Sequence, residues 1–248
     1  MHQRNIFKIR PPNHEELAKK YPQLRKKCFV GANGKICIDF SCTEAVRSFT
    51  EILLSEYFEL NVSIPKGVLV PRVPQRLNYL LLVEDLVNLN GLRRRKLLEL
   101  ILQVFELPEY KSTIFSFSVC NPPFFDINEA EKKFASIGDV SLHNLPRRSR
   151  GQPRSGTTAI AEEIAYKGGE FNFICQMIEE SRQHPLKTRI YTTMIGKRST
   201  LKKLKFYMEE KKILNYKIFT LTQGRTFRWV LAWTFFENIN LDLKENKF

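Results

Sequence analysis

The sequence predicts an α/β protein built on an open, doubly wound sheet that is abbreviated in its first half. The first observation is the run from Ser112 to Phe125, where apolar, β-branched and aromatic residues end abruptly at two prolines. Such a run is typical of a buried strand, and the prolines end it because they donate no ladder hydrogen bond. The second is a regular alternation after Gly168: helix 170–183, strand 188–195, helix 200–212, then strands 216–221 and 227–236. Because a short turn joins the last two strands, we expect them to pair antiparallel.

Composition and charge limit the classes of partner and of site that fit this chain. The chain has 248 residues, of which 43% are hydrophobic, so it can bury a sizeable core. Its net charge of +14 and its pI near 9.6 favour polyanionic partners. Five cysteines without a C-x-x-C pair fit a reducing compartment and give no disulfide or metal signature. There is no signal peptide and no apolar run long enough for a bilayer, so we expect a nuclear and/or cytoplasmic protein without membrane or metal.

Residues 1–72 form a basic N-terminal segment. Arg4 and the basic residues that follow it, up to Pro11-Pro12, suggest an arm. This arm is either a solvated leader or an extension that contacts phosphates. Helical periodicity over 44–60 predicts an amphipathic helix, which Ser41 or Thr43 would cap.

Two further helices are predicted before the central strand. The first begins at Val73, with a proline in its first turn, and runs to Leu89. Arg76 is electrostatically misplaced near its start, where the helix dipole is positive, so this side chain either reaches solvent or contacts an anion. The second predicted helix covers Leu92–Leu107.

The turn Asn121-Pro122-Pro123-Phe124 suits the binding of a planar amino group. The side-chain oxygen of Asn121 and the carbonyl of Pro122 are both acceptors, and the fixed φ of proline aims that carbonyl. Each could accept one proton of a base or amide –NH2, and Phe124 offers a ring for stacking. The alternative is an ordinary turn that merely ends the strand.

A basic loop follows the turn. Residues 140–161 contain no acidic side chain and are rich in proline, glycine and serine. They carry four arginines, Arg147, Arg148, Arg150 and Arg154. Long polar loops on compact domains are typically functional or disordered, and nucleic-acid phosphate is the natural partner of this one.

Several separate blocks carry a family resemblance. MHQRN, PPNHEELAKKYP, LVPRVPQRLNYLLLVEDL, CNPPFF, GGEFNF, MIGKRSTLKKLK and QGRTFRWVLAWTFF together resemble the eukaryotic RNA adenine-N6 methyltransferases that act on U6 small nuclear RNA. The resemblance runs from Met1 to about Glu237. It implies a methyltransferase-type sheet and transfer of a methyl group from S-adenosylmethionine to the N6 of an adenine in structured RNA, such as small nuclear RNA or messenger RNA hairpins.

The resemblance also implies site residues. Asn121, Pro122, Pro123 and Phe124 would hold and stack a flipped adenine, and Arg76 and Asn121 would contact the cofactor. The RNA-binding residues that it implies are Pro11, Pro12, Asn13, His14, Arg147, Arg148, Arg150, Arg154, Lys197, Arg198, Gln223, Arg225 and Arg228.

The chain departs from the family pattern between Leu86 and Asn121. A doubly wound cofactor half needs further strand–helix units, each of about 30 residues, and the shortened stretch between 87 and 113 has no room for them. The family's glycine-rich turn and the acidic residue ending its second strand have no counterpart, and no G-x-G occurs anywhere. We therefore expect a core at 73–237 without the usual cofactor cradle, a tail at 238–248, and a central strand with an unpaired edge.

Several interpretations of this departure remain. The chain is an RNA methyltransferase by descent, or an RNA-binding variant that is catalytically silent. A splice form or gene model that skipped an exon would give the same sequence. Rebuilding the cofactor site from Leu92–Leu107 is physically unfavourable, because one helix cannot supply both an amide cradle and a ribose-binding carboxylate. Methylation of a protein glutamine is a weaker third function, against which the arginine-rich loop argues.

Overall fold

The computed structural model describes residues 1–92, 97–99, 113–123, 125–127, 165–224 and 226–243, with residues 97–99 described by their backbone. The described residues belong to two compact units. The N-terminal unit contains Ile6–Arg76. The sheet unit contains Met1–Asn5 and the described residues from Leu77 onward.

The N-terminal unit consists of short helices, one hairpin and one long helix. In chain order these are α1 (Ile6–Ile9), α2 (His14–Lys20), α3 (Pro22–Arg25), the antiparallel strands β1 (Cys28–Val30) and β2 (Ile36–Ile38), and α4 (Thr43–Phe58). The amphipathic helix predicted over 44–60 is confirmed, but its predicted cap is wrong. Cys42 is the N-cap residue without a side-chain bond, Thr43 lies inside the helix, and the Ser41 hydroxyl donates to Asp39 instead.

Helix α5 (Val73–Leu89) follows as the sequence predicts. In the sheet unit it buries Tyr79, Leu82, Val83, Leu86 and Val87. These side chains pack against strands of the main sheet, and they form two of its hydrophobic clusters. Burial of this face holds α5 against the sheet, since each large aliphatic side chain removed from water contributes about 1.5–3 kcal/mol to the stability of the fold.

The sheet unit is organised around a five-stranded mixed sheet. Its spatial order is β3 (Leu97–Glu99), β4 (Phe115–Val119), β7 (Thr188–Ile195), β9 (Thr226–Trp233) and β8 (Tyr216–Gln223). The first three strands are parallel, whereas β9 is antiparallel to both β7 and β8. Helices α6 (Gly169–Gln183) and α7 (Arg198–Glu210) flank β7 in the chain. Two short parallel strands, β5 (Phe125–Asp126) and β6 (Ala165–Tyr166), form a separate ribbon. The predicted α/β sheet and antiparallel hairpin are confirmed.

Strand β3 corrects two expectations. The helix predicted over Leu92–Leu107 is wrong at Leu97–Glu99, which form a strand. The expected open edge of the central strand is also wrong, since Leu97 aligns with Phe117 and Glu99 with Val119 in a parallel pair. The physical reason is that a short apolar run fits a helix and a buried strand equally well, so its tertiary partner decides.

The core lies on both faces of β7 and β9. Val230, Leu231, Ala232 and Trp233 are fully buried. The Trp233 ring stacks on Tyr191 with centroids 5.4 Å apart, and its indole N–H donates to Ser181 Oγ at 3.0 Å. Within the predicted tail, Ile239 and Leu241 are buried in the same unit. Among the residues that the structure describes, no helix has the length and apolar character needed to cross a bilayer.

Candidate adenine-binding turn and nucleic-acid interface

The Asn121-Pro122-Pro123 segment directly follows β4, at the carboxyl edge of the parallel strands. Pro122 is buried, and Asn121 and Pro123 are half-buried. The Met194 N–H donates to the Cys120 carbonyl at 2.9 Å, which is a backbone bond one residue before the turn. In open α/β sheets ligands bind outside the carboxyl ends of the strands. The turn therefore lies where the sequence predicts it, with its two candidate acceptors at the edge of the sheet.

A buried hydrogen-bond relay holds the end of β4 on β7. The Cys120 N–H donates to the Tyr79 hydroxyl at 3.1 Å, and Tyr79 Oη lies 2.6 Å from Thr192 Oγ1. Thr192 Oγ1 donates to the Ser118 carbonyl at 2.5 Å, and the Thr192 N–H donates to Ser118 Oγ at 3.2 Å. Because Thr192 already donates to a carbonyl, Tyr79 is the donor between the two hydroxyls.

This relay holds the two residues, Ser118 and Cys120, that lead into the turn. Tyr79, Ser118, Thr192 and Cys120 are at most 5% exposed, so their bonds do not compete with water. Leaving such a buried donor unsatisfied costs about 1–3 kcal/mol, which keeps the relay closed. Beyond the Phe117–Ile190 pair these side-chain bonds supplement the Met194–Cys120 backbone bond, and they fix the point from which Asn121 departs.

The chain beyond the turn is held by a pair of glycines. The Gly168 N–H donates to Asp126 Oδ2 at 2.6 Å, beside the β5–β6 ribbon. Gly168 and Gly169 have φ values of 81° and 70°, which side-chain-bearing residues rarely adopt. This conformation starts helix α6 directly after the ribbon.

Glu170, in the first turn of α6, joins this region to the carboxyl end of β7. It is 1% exposed, and its carboxylate accepts from the Gly196 N–H at 2.5 Å and from the Lys197 N–H at 3.2 Å. Burial raises the pKa of Glu170, while bonds from Gly196, Thr200 and Lys197 oppose that shift. One carboxylate therefore fixes the loop that precedes α7.

Two groups of predicted RNA-binding residues lie on the same edge of the sheet unit. The Lys197 ammonium lies 5.6 Å from the centroid of the Phe125 ring, a cation–π distance, and Arg198 is exposed. The last β7–β9 pair is Ile195–Trp229, whereas β8 and β9 continue to pair up to Gln223 and Thr226. The hairpin that carries Gln223 and Arg228 thus projects past the carboxyl ends of β4 and β7.

Other predicted residues lie in the N-terminal unit. Asn13 caps α2, where its side-chain oxygen accepts from the N–H groups of Glu15 and Glu16. Pro11 is exposed and Pro12 half-buried. The His14 ring packs edge-on against Phe49 with centroids 5.4 Å apart, and burial lowers its pKa.

The remaining predicted residues lie in helix α5, near the N-terminus or outside the described part of the chain. Arg76 is half-buried in the first turn of α5. Arg4, part of the predicted basic arm, forms ion pairs with Glu84 and Asp85, so its charge is neutralised within the chain. Phe124, Arg147, Arg148, Arg150, Arg154 and Arg225 lie outside the described residues.

The sequence reasoning missed several positioning residues. Tyr79, Ser118, Thr192, Asp126 and Glu170 all act through partners that are distant in the chain. The available signals were a tyrosine in an otherwise aliphatic helix stretch, polar residues in apolar strands, and a carboxylate directly after two glycines. Within the described ranges, no group of three or more His, Cys, Asp or Glu side chains is placed to hold a metal ion.

Comparison with known proteins gives the family. A family model described as RNA methyltransferase matches residues 1–93 and 88–237. A U6 small nuclear RNA (adenine-(43)-N(6))-methyltransferase of Caenorhabditis briggsae is 32% identical over 304 residues, covering 98% of this chain and 63% of its own length. The chain thus spans less than two thirds of that relative.

Two solved structures are also similar to this chain. The hMettl16 catalytic domain in complex with a MAT2A 3'UTR hairpin matches with a TM-score of 0.80 and 31% identity, covering 98% of each chain. The N-terminal domain of human METTL16 in complex with SAH matches with a TM-score of 0.71 and 26% identity, covering 96% of this chain and 99% of that one.

The comparisons also bear on the shortened stretch. The alignment with the nematode relative extends over 304 positions, although this chain has 248 residues, so more than 50 positions of that relative have no counterpart here. The two matches to the family model meet at residues 88–93, directly before β3. The break therefore coincides with the place where the sequence departs from the family pattern. Since the two matches together cover residues 1–237, the chain belongs to this RNA methyltransferase family.

Proposed function

We propose that this chain is an S-adenosylmethionine-dependent RNA methyltransferase that forms N6-methyladenosine in structured RNA, such as U6 small nuclear RNA or a messenger RNA hairpin. The observation that carries this proposal is the Asn121-Pro122-Pro123 turn, held at the carboxyl end of β4 by the Tyr79–Thr192–Ser118 relay. The names of the nematode relative and of the hairpin complex support the substrate class. A nuclear and/or cytoplasmic location follows from such a substrate.

The turn would hold the amino group of a flipped adenine. The Asn121 side-chain oxygen and the Pro122 carbonyl would each accept one of its two protons. These bonds orient N6. They also increase the electron density on it, because each acceptor interacts with an N–H proton rather than with the nitrogen lone pair. Phe124 would stack on the extruded base, a contact worth about 1–3 kcal/mol. Flipping is required because N6 is out of reach within a base-paired stack.

The basic surface would bind the RNA backbone. Lys197, Arg198, Gln223 and Arg228 lie on the edge that carries the turn. We assign them to phosphate and sugar contacts, together with Pro11–His14, the arginines at 147–154 and Arg225. Phosphate contacts of this kind fix the position of the RNA but do not read its sequence.

The residues present fit an adenine better than they fit the cofactor. S-adenosylmethionine would supply the methyl group, and Arg76 and Asn121 are the side chains assigned to it. Strands β3 and β4 end side by side, as a cofactor crevice requires. However, no glycine occurs between Gly91 and Gly138, so the segment after β3 has no residue that allows close approach of its backbone. The family's manner of holding the cofactor is therefore not supported by this chain.

This misfit favours a second candidate function. A chain that keeps the adenine turn and the basic surface, but lacks a cofactor cradle, would bind structured RNA without methylating it. The two-piece match to the family model, which breaks just before β3, specifically favours this alternative.

Two experiments decide between the methyltransferase and the silent RNA-binding protein. The first is calorimetric titration of the chain with S-adenosylmethionine. The second is a methyl-transfer assay on an RNA hairpin with an unpaired adenine. Saturable cofactor binding and methylation that depends on Asn121 are the results expected of the enzyme. No cofactor binding, with hairpin binding intact, would overturn the enzymatic proposal and leave the silent RNA-binding protein. Loss of both activities would contradict both candidates.

A further inference from the structure

Helix α7 carries a line of positive charge on its outer face, of which only the first residue, Arg198, has been assigned to RNA contacts. Arg198, Lys202 and Lys205 are spaced i, i+4 and i+7, so they lie on one face, and all three are exposed. The opposite side buries Thr200, Leu204 and Met208 against the sheet. The face is therefore fixed in orientation by its own core contacts.

The charges on this face are not neutralised by the described part of the chain. Among the described residues no carboxylate forms an ion pair with Lys202 or Lys205, whereas Lys211 pairs with Glu179 and Lys217 with Asp242. From Arg198 to Met208 the helix contains no acidic residue, and Glu209 is the first to follow on this face. A surface built for solubility usually interleaves both signs. This one does not.

The helix begins at the candidate site and leads away from it. α7 follows directly after β7, and Glu170 binds the N–H groups of Gly196 and Lys197 just before its first residue. At 1.5 Å per residue, Lys205 lies about 10 Å along the axis from Arg198. The line of charge thus extends from the edge that carries Asn121 towards the opposite edge of the sheet.

We propose that the outer face of α7, with Lys202 and Lys205, binds the phosphate backbone of the RNA stem that flanks the target adenine. This inference rests on the RNA binding proposed above. Charge complementarity selects the occupant, because lysines in a row neutralise successive phosphates without reading bases. Lysine suits this task since its compact ammonium acts as a point charge on a flexible stem. Phe206, 73% exposed beside these lysines, is available to a sugar or an unpaired base.

The test compares Lys202→Gln/Lys205→Gln with the control Lys211→Gln/Lys217→Gln. Both variants remove two positive charges from exposed or half-exposed positions of the sheet unit, but the control lysines already pair with carboxylates. Glutamine keeps the helix propensity of positions 202 and 205, and thermal unfolding is measured to check that both variants fold. The probe is a hairpin RNA with an unpaired adenine, made with a long and with a truncated stem, and titrated by fluorescence anisotropy over a range of salt concentrations.

We expect the first variant to weaken binding of the long-stem hairpin by about fivefold or more. The slope of log K against log salt should fall by about 1–2, since each lost phosphate contact removes about 0.7–0.9. The control should change affinity less than twofold, and the truncated stem should abolish the difference between the variants.

Two results would overturn the inference while leaving RNA binding in place. Equal affinity and equal salt slope for wild type and the Lys202/Lys205 variant would show a merely solvated face. A deficit that persists on the truncated stem would place the lysines elsewhere on the RNA. Failure of the wild-type chain to bind either hairpin would instead refute the proposed function itself.

Discussion

The two neighbours of strand β4 differ in how firmly they hold it. On one side β7 has eight residues, and it joins β4 through backbone bonds and the buried relay of Tyr79, Thr192 and Ser118. On the other side β3 has three residues and joins through a short parallel ladder. The β7 side leads to Glu170 and to the glycine pair at 168–169, whereas no glycine follows β3 until Gly138.

This difference separates the two tasks of a methyltransferase. The β7 side positions the candidate acceptor turn and the basic edge, which are the parts that an RNA substrate would need under the proposed function. The β3 side is where a cofactor would bind in a doubly wound sheet, and it is the side that this chain has shortened. Under the proposed function, substrate recognition and cofactor binding would therefore be separable, because each would be built on a different neighbour of β4.

The largest expected effect is on methyl transfer, from Asn121→Ala. Removing the side-chain oxygen leaves one acceptor for the amino group, so any methyl transfer should fall by more than about 100-fold, comparable to the loss of an oxyanion-hole donor. Hairpin affinity should change less than about twofold, because phosphate contacts dominate it. Asn121→Asp keeps acceptor oxygens and should retain part of the activity. Radiolabelled methyl transfer and anisotropy measure the two quantities.

The change to compare with Asn121→Ala is neutralisation of Arg147, Arg148, Arg150 and Arg154. It should weaken hairpin RNA binding and reduce the dependence of that binding on salt. Equal losses of RNA affinity from this change and from Asn121→Ala would contradict the division of roles.

The second largest expected effect is a loss of folding stability in Tyr79→Phe. This change leaves the buried Cys120 N–H without its acceptor and Thr192 without its donor, so we expect the free energy of unfolding to fall by about 3 kcal/mol. Urea denaturation followed by circular dichroism measures it. Tyr21→Phe in the N-terminal unit removes a partly exposed hydroxyl from Glu56 and serves as a control with a loss below about 1 kcal/mol. Equal losses would mean that the relay does not hold β4.

Glu170→Ala should lower stability by about 2 kcal/mol at acidic pH, because the N–H groups of Gly196 and Lys197 lose their acceptor. Burial raises the native pKa of Glu170 above its unfolded value. The folded state therefore holds its proton to higher pH, and stability from this group is complete below the unfolded pKa. It declines as pH rises through the native pKa.

The difference between wild type and Glu170→Ala should thus shrink as the pH rises above the ordinary titration range of a glutamate carboxyl. Denaturant titrations at several pH values measure this trend. Glu210→Ala, on the exposed end of α7, controls for general effects of charge removal. A difference that grows with pH would contradict the assigned direction of the pKa shift.

Local patterns were enough to predict most strands and helices, and the turn. The hairpin around 223–226, helices α6 and α7 and the strand before Asn121 follow from periodicity and turn chemistry, which act over a few residues. Strand β3 could not be predicted, since Leu97–Glu99 lie in a stretch with helical periodicity and only pairing with β4 decides their conformation. The positioning residues were missed for the same reason. Glu170 is 26 residues from Gly196, and Tyr79 is 113 residues from Thr192.

The smallest expected effect comes from Gly169→Ala, and it tests whether the glycine pair belongs to the rigid side. With φ at +70°, an alanine at this position costs about 1–2 kcal/mol from backbone conformation alone. The added Cβ would lie 3.4 Å from the Asp126 amide nitrogen, an ordinary contact, so no further loss of stability is expected. Gly34→Ala is the matched control, since its φ is +73° and nothing lies within 4 Å of its Cβ. Both variants should lose similar stability, but only Gly169→Ala should also weaken hairpin binding. Relaxation of its unfavourable φ would move backbone that contacts Phe125 and Asp126, and the Phe125 ring faces Lys197. Equal hairpin affinities for the two variants would remove the glycine pair, and the ribbon beside it, from the RNA-binding edge.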